Sequence, residues 1–217
     1  MKQVIQIRCK NNKKSQKVEI GSTLFDIFSA FDLKMTHGPV SARVNNKVEG
    51  MHYRVYNSKD VEFLDMTSSS GSRAYTRTLF FVLCKAVQDI YPATDVVIDI
   101  PVSNGFYVDI RLGRPVVDED VNIIRRRMQE IIDARMPIRR FTVPTEEAVA
   151  LFQEKGDIEK VKLLKTSGSI YTTYYKIGDY VDYYYGTLLT NTSQLYLFGL
   201  EKYYDGMLLR IPSLKNP

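Results

Sequence analysis

The side chains that could hold a metal or act as nucleophiles are few and unevenly placed. The chain has two histidines, His37 and His52, and two cysteines, Cys9 and Cys84. From residue 53 onward there is one cysteine and no histidine. That stretch cannot furnish the nitrogen and sulfur donors of a conventional zinc site, nor a Ser-His-Asp or Cys-His set. Two cysteines far apart in sequence are no basis for a disulfide framework and fit a reducing compartment. A Gly-x-x-x-x-Gly-Lys-Ser/Thr loop and a dinucleotide fingerprint are also missing, so the chain lacks machinery of those kinds for ATP or dinucleotide chemistry. What it does offer is charge and aromatic surface. Lys2, Arg8, Lys10, Lys13, Lys14 and Lys17 face only Glu19 across the first twenty residues, a density able to neutralise phosphates on an RNA backbone. The same run also fits a lysine-rich hairpin tip kept soluble. Arg125-Arg126-Arg127 has two readings as well, surface that packs against acidic neighbours or nucleic-acid contact. Ten of the fifteen tyrosines lie from Tyr171 onward; they suit half-buried sheet surface, and they could stack bases.

The elements that must position these groups read as follows. VIQIRC and SQKVEI flank a polar turn around Asn11-Asn12-Lys13-Lys14, which predicts a β-hairpin. Gly21-Ser22-Thr23 offers a turn and helix cap before LFDIFSAF, where Leu24, Ile27, Phe28 and Phe31 recur at helical spacing and Asp26 lies in the first turn. After His37-Gly38-Pro39, VSARVNN, MHYRVYN and DVEFLDM read as short strands. Strand, strand, helix, then strands is the order of a β-grasp fold. RAYTRTLFFVLCKAVQDIYP predicts a helix ending at Pro92, and DVVIDIP and FYVDIRL predict strands around Ser103-Asn104-Gly105. A second helix carries Asp118, Glu119 and Asp120 at its positive end, a stripe of Val121, Ile124, Met128, Ile131 and Ile132, and Arg135 near its negative end. Thr145 reads as the cap of a helix running toward Gly156, DIEKVKLL as a further helical or extended piece, and the tyrosine-rich tail as strands.

With 217 residues, 44% hydrophobic and 25% charged, the chain is long enough for two domains, each with its own core. Thr67 to Ser72, small and polar without apolar periodicity, suits a flexible connection. The expected division is therefore a β-grasp domain over 1–66, a linker over 67–72 and a second α+β domain over 73–217. The net charge of +5 concentrates in the first domain, with 11 Lys/Arg against 7 Asp/Glu up to residue 66. No apolar run approaches the roughly 18 to 20 residues of a membrane span, and the opening residues lack the apolar core of a signal peptide. This reading expects a cytoplasmic protein without a membrane partner.

VEIGSTLFDI, with its Gly-x-Thr-hydrophobic-x-Asp entry into a helix, and ARVNNKVEGMHYRVYNSKDVEFL, with a Val-Asn-Gly-like hairpin and closing strand, resemble a TGS domain over about residues 3–66. Asn46 stands where that family often has glycine, a departure that Asn tolerates because it accepts left-handed backbone geometry. Residues 73–211 resemble the editing domain of threonyl-tRNA and alanyl-tRNA synthetases: Ala86 to Pro92, NGFYVDI, EDV through RRRMQEII, EEAVALFQEKGDIEKVKLL, GDYVDYYYG and MLLRI follow its motifs in order. The fold class implied is α+β, a β-grasp TGS domain followed by an editing-like domain.

That family's hydrolytic site uses a His-x-x-x-His pair and a Cys-x-x-x-His pair to hold zinc or position a water. The resemblance places those positions on Arg77 and Phe81, and on Tyr184 and Leu188, so all four are replaced. Arg77 stays protonated, Phe81 and Leu188 carry no donor atoms, and Tyr184 is a weak candidate. An emptied pocket of Arg77, Phe81, Asp182, Tyr184 and Leu188 could bind an anionic or aromatic small molecule; equally, Arg77 could pair with Asp182. Asp182 as a general base is a further option, without a partner set to help it. The resemblance implies a non-catalytic recognition module for RNA, tRNA included, or a nucleotide, with Lys10, Lys13, Lys14 and Lys17 as candidate contacts and no metal or cofactor of its own. The same pair of domains is similar to the front of bacterial uridine kinase-like nucleoside kinases, which would imply a following kinase domain using ATP and Mg. A protein-interaction scaffold and an editing hydrolase for mischarged tRNA are the alternatives.

Overall fold

A computed structural model describes residues 3–103 and 105–212. Lys2 of the basic run, Asn104 of the NGFYVDI match and the tail after Pro212 lie outside the described residues. The chain forms two compact units, residues 1–136 with 187–217, and residues 137–186. This division does not follow the boundary expected at 66–73.

In the first unit, β1 (Val4–Cys9) and β2 (Ser15–Glu19) form the expected hairpin, and α1 (Leu24–Ala30) follows. Its start is fixed by a reciprocal cap: Asp26 N–H donates to Thr23 Oγ1 at 3.2 Å and Thr23 N–H donates to Asp26 Oδ2 at 2.8 Å, satisfying two donors that the helix leaves orphaned. With β3 (Ser41–Val44), β4 (Lys47–Gly50) and β5 (Lys59–Leu64), the strands order as β2-β1-β5-β3-β4. β1 runs parallel to β5 and the other pairs are antiparallel, the β-grasp arrangement. Ile7, Leu24, Ile27, Ala42 and Val61 are fully buried in the core of this sheet and helix. Two local expectations shift. Met51 to Asn57 is not a strand, apart from a single bridge between Thr23 and Arg54, because Lys47–Gly50 takes the pairing with β3. The left-handed residue of the β3–β4 turn is Asn45, at φ 53°, one place before Asn46.

The expected linker is also different. α2 spans Ser69–Ile90, so Ser69 to Ser72 form its first turn. Ser68 caps it, its hydroxyl accepting from Gly71 N–H at 3.0 Å and donating to Asp65 O at 2.8 Å. Gly71 has no freedom to be anything larger: a Cβ there would overlap the Asp65 carbonyl, so this glycine permits close backbone approach rather than flexibility.

Behind α2 comes an antiparallel sheet ordered β11-β12-β7-β6, made of β6 (Val96–Val102), β7 (Gly105–Ile110), β11 (Gly199–Tyr203) and β12 (Gly206–Arg210). α3 (Asp118–Asp133) buries the expected stripe of Val121, Ile124, Met128, Ile131 and Ile132. Asp120 does more than favour the helix dipole. It accepts from Val117 N–H at 2.9 Å, from the Tyr91 hydroxyl at 2.6 Å and from both terminal nitrogens of Arg114 at 2.7 and 2.8 Å.

The second unit is a sheet ordered β10-β9-β8, from β8 (Arg139–Pro144), β9 (Tyr171–Ile177) and β10 (Tyr180–Tyr183), with α4 (Thr145–Glu154) and α5 (Ile158–Thr166). Ala148, Phe152, Leu164 and Val181 form its core. Thr145 is the first helical residue rather than the cap; its hydroxyl instead donates to Ser169 O at 2.6 Å. Of the tyrosines from Tyr171 onward, Tyr171, Tyr174, Tyr175, Tyr180 and Tyr183 lie on β9 and β10, Tyr203 lies on β11, and Tyr184, Tyr185, Tyr196 and Tyr204 lie outside strands.

Candidate nucleic-acid interface and degenerate pocket

The basic hairpin is displayed on a firm support. Lys10, Lys13, Lys14 and Lys17 are all exposed, and none of them makes an ion pair among the described residues. The turn between β1 and β2 closes with Cys9 N–H on Lys14 O at 2.8 Å and Lys14 N–H on Asn12 Oδ1 at 3.1 Å. Lys13 supplies the left-handed residue at φ 59°. Asn11 fastens the tip to β5: its amide donates to Phe63 O at 2.9 Å and its oxygen accepts from Phe63 N–H at 2.7 Å. Sequence reading had placed Asn11 only in a polar turn. Four free ammonium groups on an anchored tip suit a phosphate backbone. By contrast, Arg127 of the arginine run is held by Asp89 at 2.9 Å and Glu130 at 2.9 Å, while Arg125 donates to Asn122 at 2.9 Å.

The residues expected to line the degenerate pocket fall in both units. Arg77, Phe81 and Leu188 belong to the first unit. Phe81 on α2 is completely buried and Leu188 nearly so, whereas Arg77 is half-buried. The segment carrying Leu188 is tied to α2 one residue beyond Arg77: Leu189 N–H donates to Thr78 Oγ1 at 2.9 Å, and the same hydroxyl donates to Ala74 O at 2.7 Å. The fold thus brings the segment of Leu188 to the helix of Arg77 and Phe81. Of the four positions that the resemblance would assign to zinc ligands, two carry buried hydrocarbon, Phe81 and Leu188, and side chains of that kind do not fit the metal. Among the described residues no group of three His, Cys, Asp or Glu side chains could hold an ion.

Asp182 and Tyr184 belong to the second unit. There the charge partner of Asp182 is Lys160 of α5, whose Nζ lies 2.8 Å from Asp182 Oδ1. Asp182 also accepts from the Tyr180 hydroxyl at 2.9 Å and from Tyr183 N–H at 2.6 Å. Lys160 contacts Asp157 at 2.7 Å and lies 5.7 Å from the centre of the Phe152 ring. Burial works against its ammonium charge, yet Asp182 and Asp157 outweigh that effect and hold its pKa above the ordinary lysine value. A carboxylate with both oxygens engaged in this way is built as an anchor. Sequence reading missed Lys160 because a helix-to-strand pairing 22 residues apart leaves no periodic trace.

No protein-family profile matches the chain. Among curated proteins it is similar to the threonine–tRNA ligase of Acetivibrio thermocellus, 29% identical over 181 residues, which cover 83% of this chain and 28% of that protein. The Clostridium kluyveri threonine–tRNA ligase is 30% identical over 193 residues, covering 88% and 30% of the two chains. That of Marinobacter nauticus is 26% identical over 181 residues, covering 83% and 28%. The chain therefore contains a region related to threonine–tRNA ligases and spans less than a third of the length of these relatives.

Proposed function

We propose that this region is a non-catalytic RNA-recognition module, with tRNA the favoured ligand class. The observation that carries the reading is the anchored, unpaired lysine hairpin on a chain whose relatives are named for action on tRNA. The second observation concerns chemistry: the positions that resemble an editing site hold Arg77, Phe81, Tyr184 and Leu188, and Phe81 and Leu188 are buried apolar side chains. Those two observations together support recognition without hydrolysis. The nucleoside-kinase parent, with its ATP and Mg, gains nothing from the relatives described, which are ligases.

The test is binding of the chain to bulk tRNA across a salt series, beside a variant with Lys10, Lys13, Lys14 and Lys17 changed to Glu. Affinity that falls steeply with salt and is lost in the variant supports the reading. Absence of binding at low salt turns it toward a protein-interaction role, and release of amino acid from mischarged tRNA would restore the editing alternative.

A further inference from the structure

The sheet ordered β11-β12-β7-β6 has one face toward α2 and α3, where Phe80 meets Phe106 at 4.9 Å between ring centres. Its other face, at the β11–β12 hairpin, gathers three tyrosines. Tyr107 on β7 meets Tyr203 at the end of β11 edge to face, at 6.2 Å and 63°. Tyr203 meets Tyr204 at 4.7 Å and 86°. The two contacts run in series, with Tyr203 in the middle. Gly206 makes room for the ring of Tyr107, since a Cβ there would lie 2.7 Å from the Tyr107 hydroxyl.

Three features set this cluster apart from ordinary sheet packing. Tyr204 is 77% exposed and sits at φ 49°, a left-handed conformation costly for a bulky side chain; such residues concentrate at functional sites. Its carbonyl is pinned there by Lys202 Nζ at 2.7 Å. Second, Asp109 lies two residues along β7 from Tyr107, on the same face of the strand, Asp205 follows Tyr204 in the hairpin turn, and neither carboxylate makes an ion pair among the described residues. The nearby Glu201 is already matched by Arg210 at 2.6 Å. Third, no ammonium or guanidinium of the chain lies over these rings among the described residues.

We infer that Tyr107, Tyr203 and Tyr204, with Asp109 and Asp205, form an aromatic, acidic cage that receives the lysine side chain of a partner protein's basic segment. Electron-rich ring faces steeply inclined to one another attract an alkylammonium, and two carboxylates without an ion pair among the described residues supply the charge complement. The same carboxylates repel a phosphate backbone, so this surface is separate from the lysine hairpin in sign as well as in place.

The experiment is a titration of the chain with the peptide acetyl-Gly-Lys-Gly-Lys-Gly-amide, followed by tyrosine fluorescence and by nuclear magnetic resonance shifts. The control peptide replaces each lysine with norleucine. Saturable binding of the lysine peptide, shifts at residues 107 and 203–205, and no binding of the control are expected. Tyr204→Ala, an exposed change that leaves the fold intact, weakens the lysine peptide about 2- to 5-fold, the range for one exposed cation–π contact. Tyr203→Phe retains binding whereas Tyr203→Leu does not. Equal binding of the norleucine peptide, no saturable binding, shifts elsewhere, or an RNA oligonucleotide that binds this patch instead would each overturn the inference. None of these results depends on whether the lysine hairpin binds tRNA.

Discussion

Lys160 Nζ lies 2.8 Å from Asp182 Oδ1, joining α5 to the strand that the resemblance marks as part of an editing site. With side chains 29% and 10% exposed, the pair is largely withdrawn from water. Removing Lys160 takes away the cation of Asp182, and removing Asp182 leaves the largely buried Lys160 with Asp157 as its remaining carboxylate among the described residues. Asp182→Asn should therefore destabilise the unit of residues 137–186 by about 2–4 kcal/mol, and Lys160→Met combined with Asp182→Asn should cost less than the single change. Urea unfolding of Asp182→Asn, Lys160→Met and the double variant measures this; single losses that simply add in the double variant would show that the two residues act independently.

Phe81, which the resemblance to editing domains would put at a ligand position, is a core side chain with no exposure. Phe81→Ala should cost about 3–5 kcal/mol through lost burial and a residual cavity. Thermal unfolding followed by circular dichroism should show a large fall in Tm. A change near zero would mean that the site is an open pocket rather than packed core.

Asp120 is held far below the ordinary carboxylate range by Arg114 first, with Tyr91 and the Val117 N–H adding to it against the cost of burial. A carboxylate with a lowered folded-state pKa stabilises the protein above its unfolded value, near 3.8, and that stability is lost as pH falls below it. Asp120→Asn should thus lower stability at pH 7 and narrow the difference from wild type between pH 4 and pH 2. Parallel denaturation curves across that range would contradict the assignment.

His52 behaves in the same direction at higher pH. Burial lowers its pKa most, a hydrogen bond to the Thr190 backbone opposes this, and the charge of Arg54 adds to the lowering. The unfolded chain therefore takes up the proton more readily, so stability is full above the ordinary value of 6.5 and declines as pH falls through it. His52→Gln should flatten the dependence of Tm on pH between 7 and 5.

Charge reversal at Lys10, Lys13, Lys14 and Lys17 should leave Tm within about 2 °C of wild type, because exposed changes away from packed features rarely exceed about 0.5 kcal/mol. Loss of tRNA binding with an unchanged melting curve would locate the defect in the contact itself.

Much of this fold is legible because its signals are local. The β1–β2 hairpin, the Thr23 and Asp26 cap and the buried stripe of α3 each depend on residues a few positions apart. The errors arose where distant atoms decide. Ser68-Ser69-Ser70-Gly71-Ser72 has the composition of a spacer, but Asp65 and the close approach at Gly71 make it a helix start. Met51 to Asn57 has strand-like residues, yet β3 is already paired on both sides, by β4 and β5. The hairpin lysines could be found by charge density alone, whereas Asn11 and Lys160, which hold the neighbouring surfaces in place, could not.

The early start of α2 has a mechanical meaning. β5 touches the lysine hairpin through Asn11 and Phe63, and after Leu64 only four residues precede the helix that carries Arg77. Those four are themselves braced by Asp65, which bonds Thr67 and Ser68. A load applied at the tip is therefore delivered along a strut rather than absorbed by a tether. The hairpin and the first turns of α2 would move as one lever.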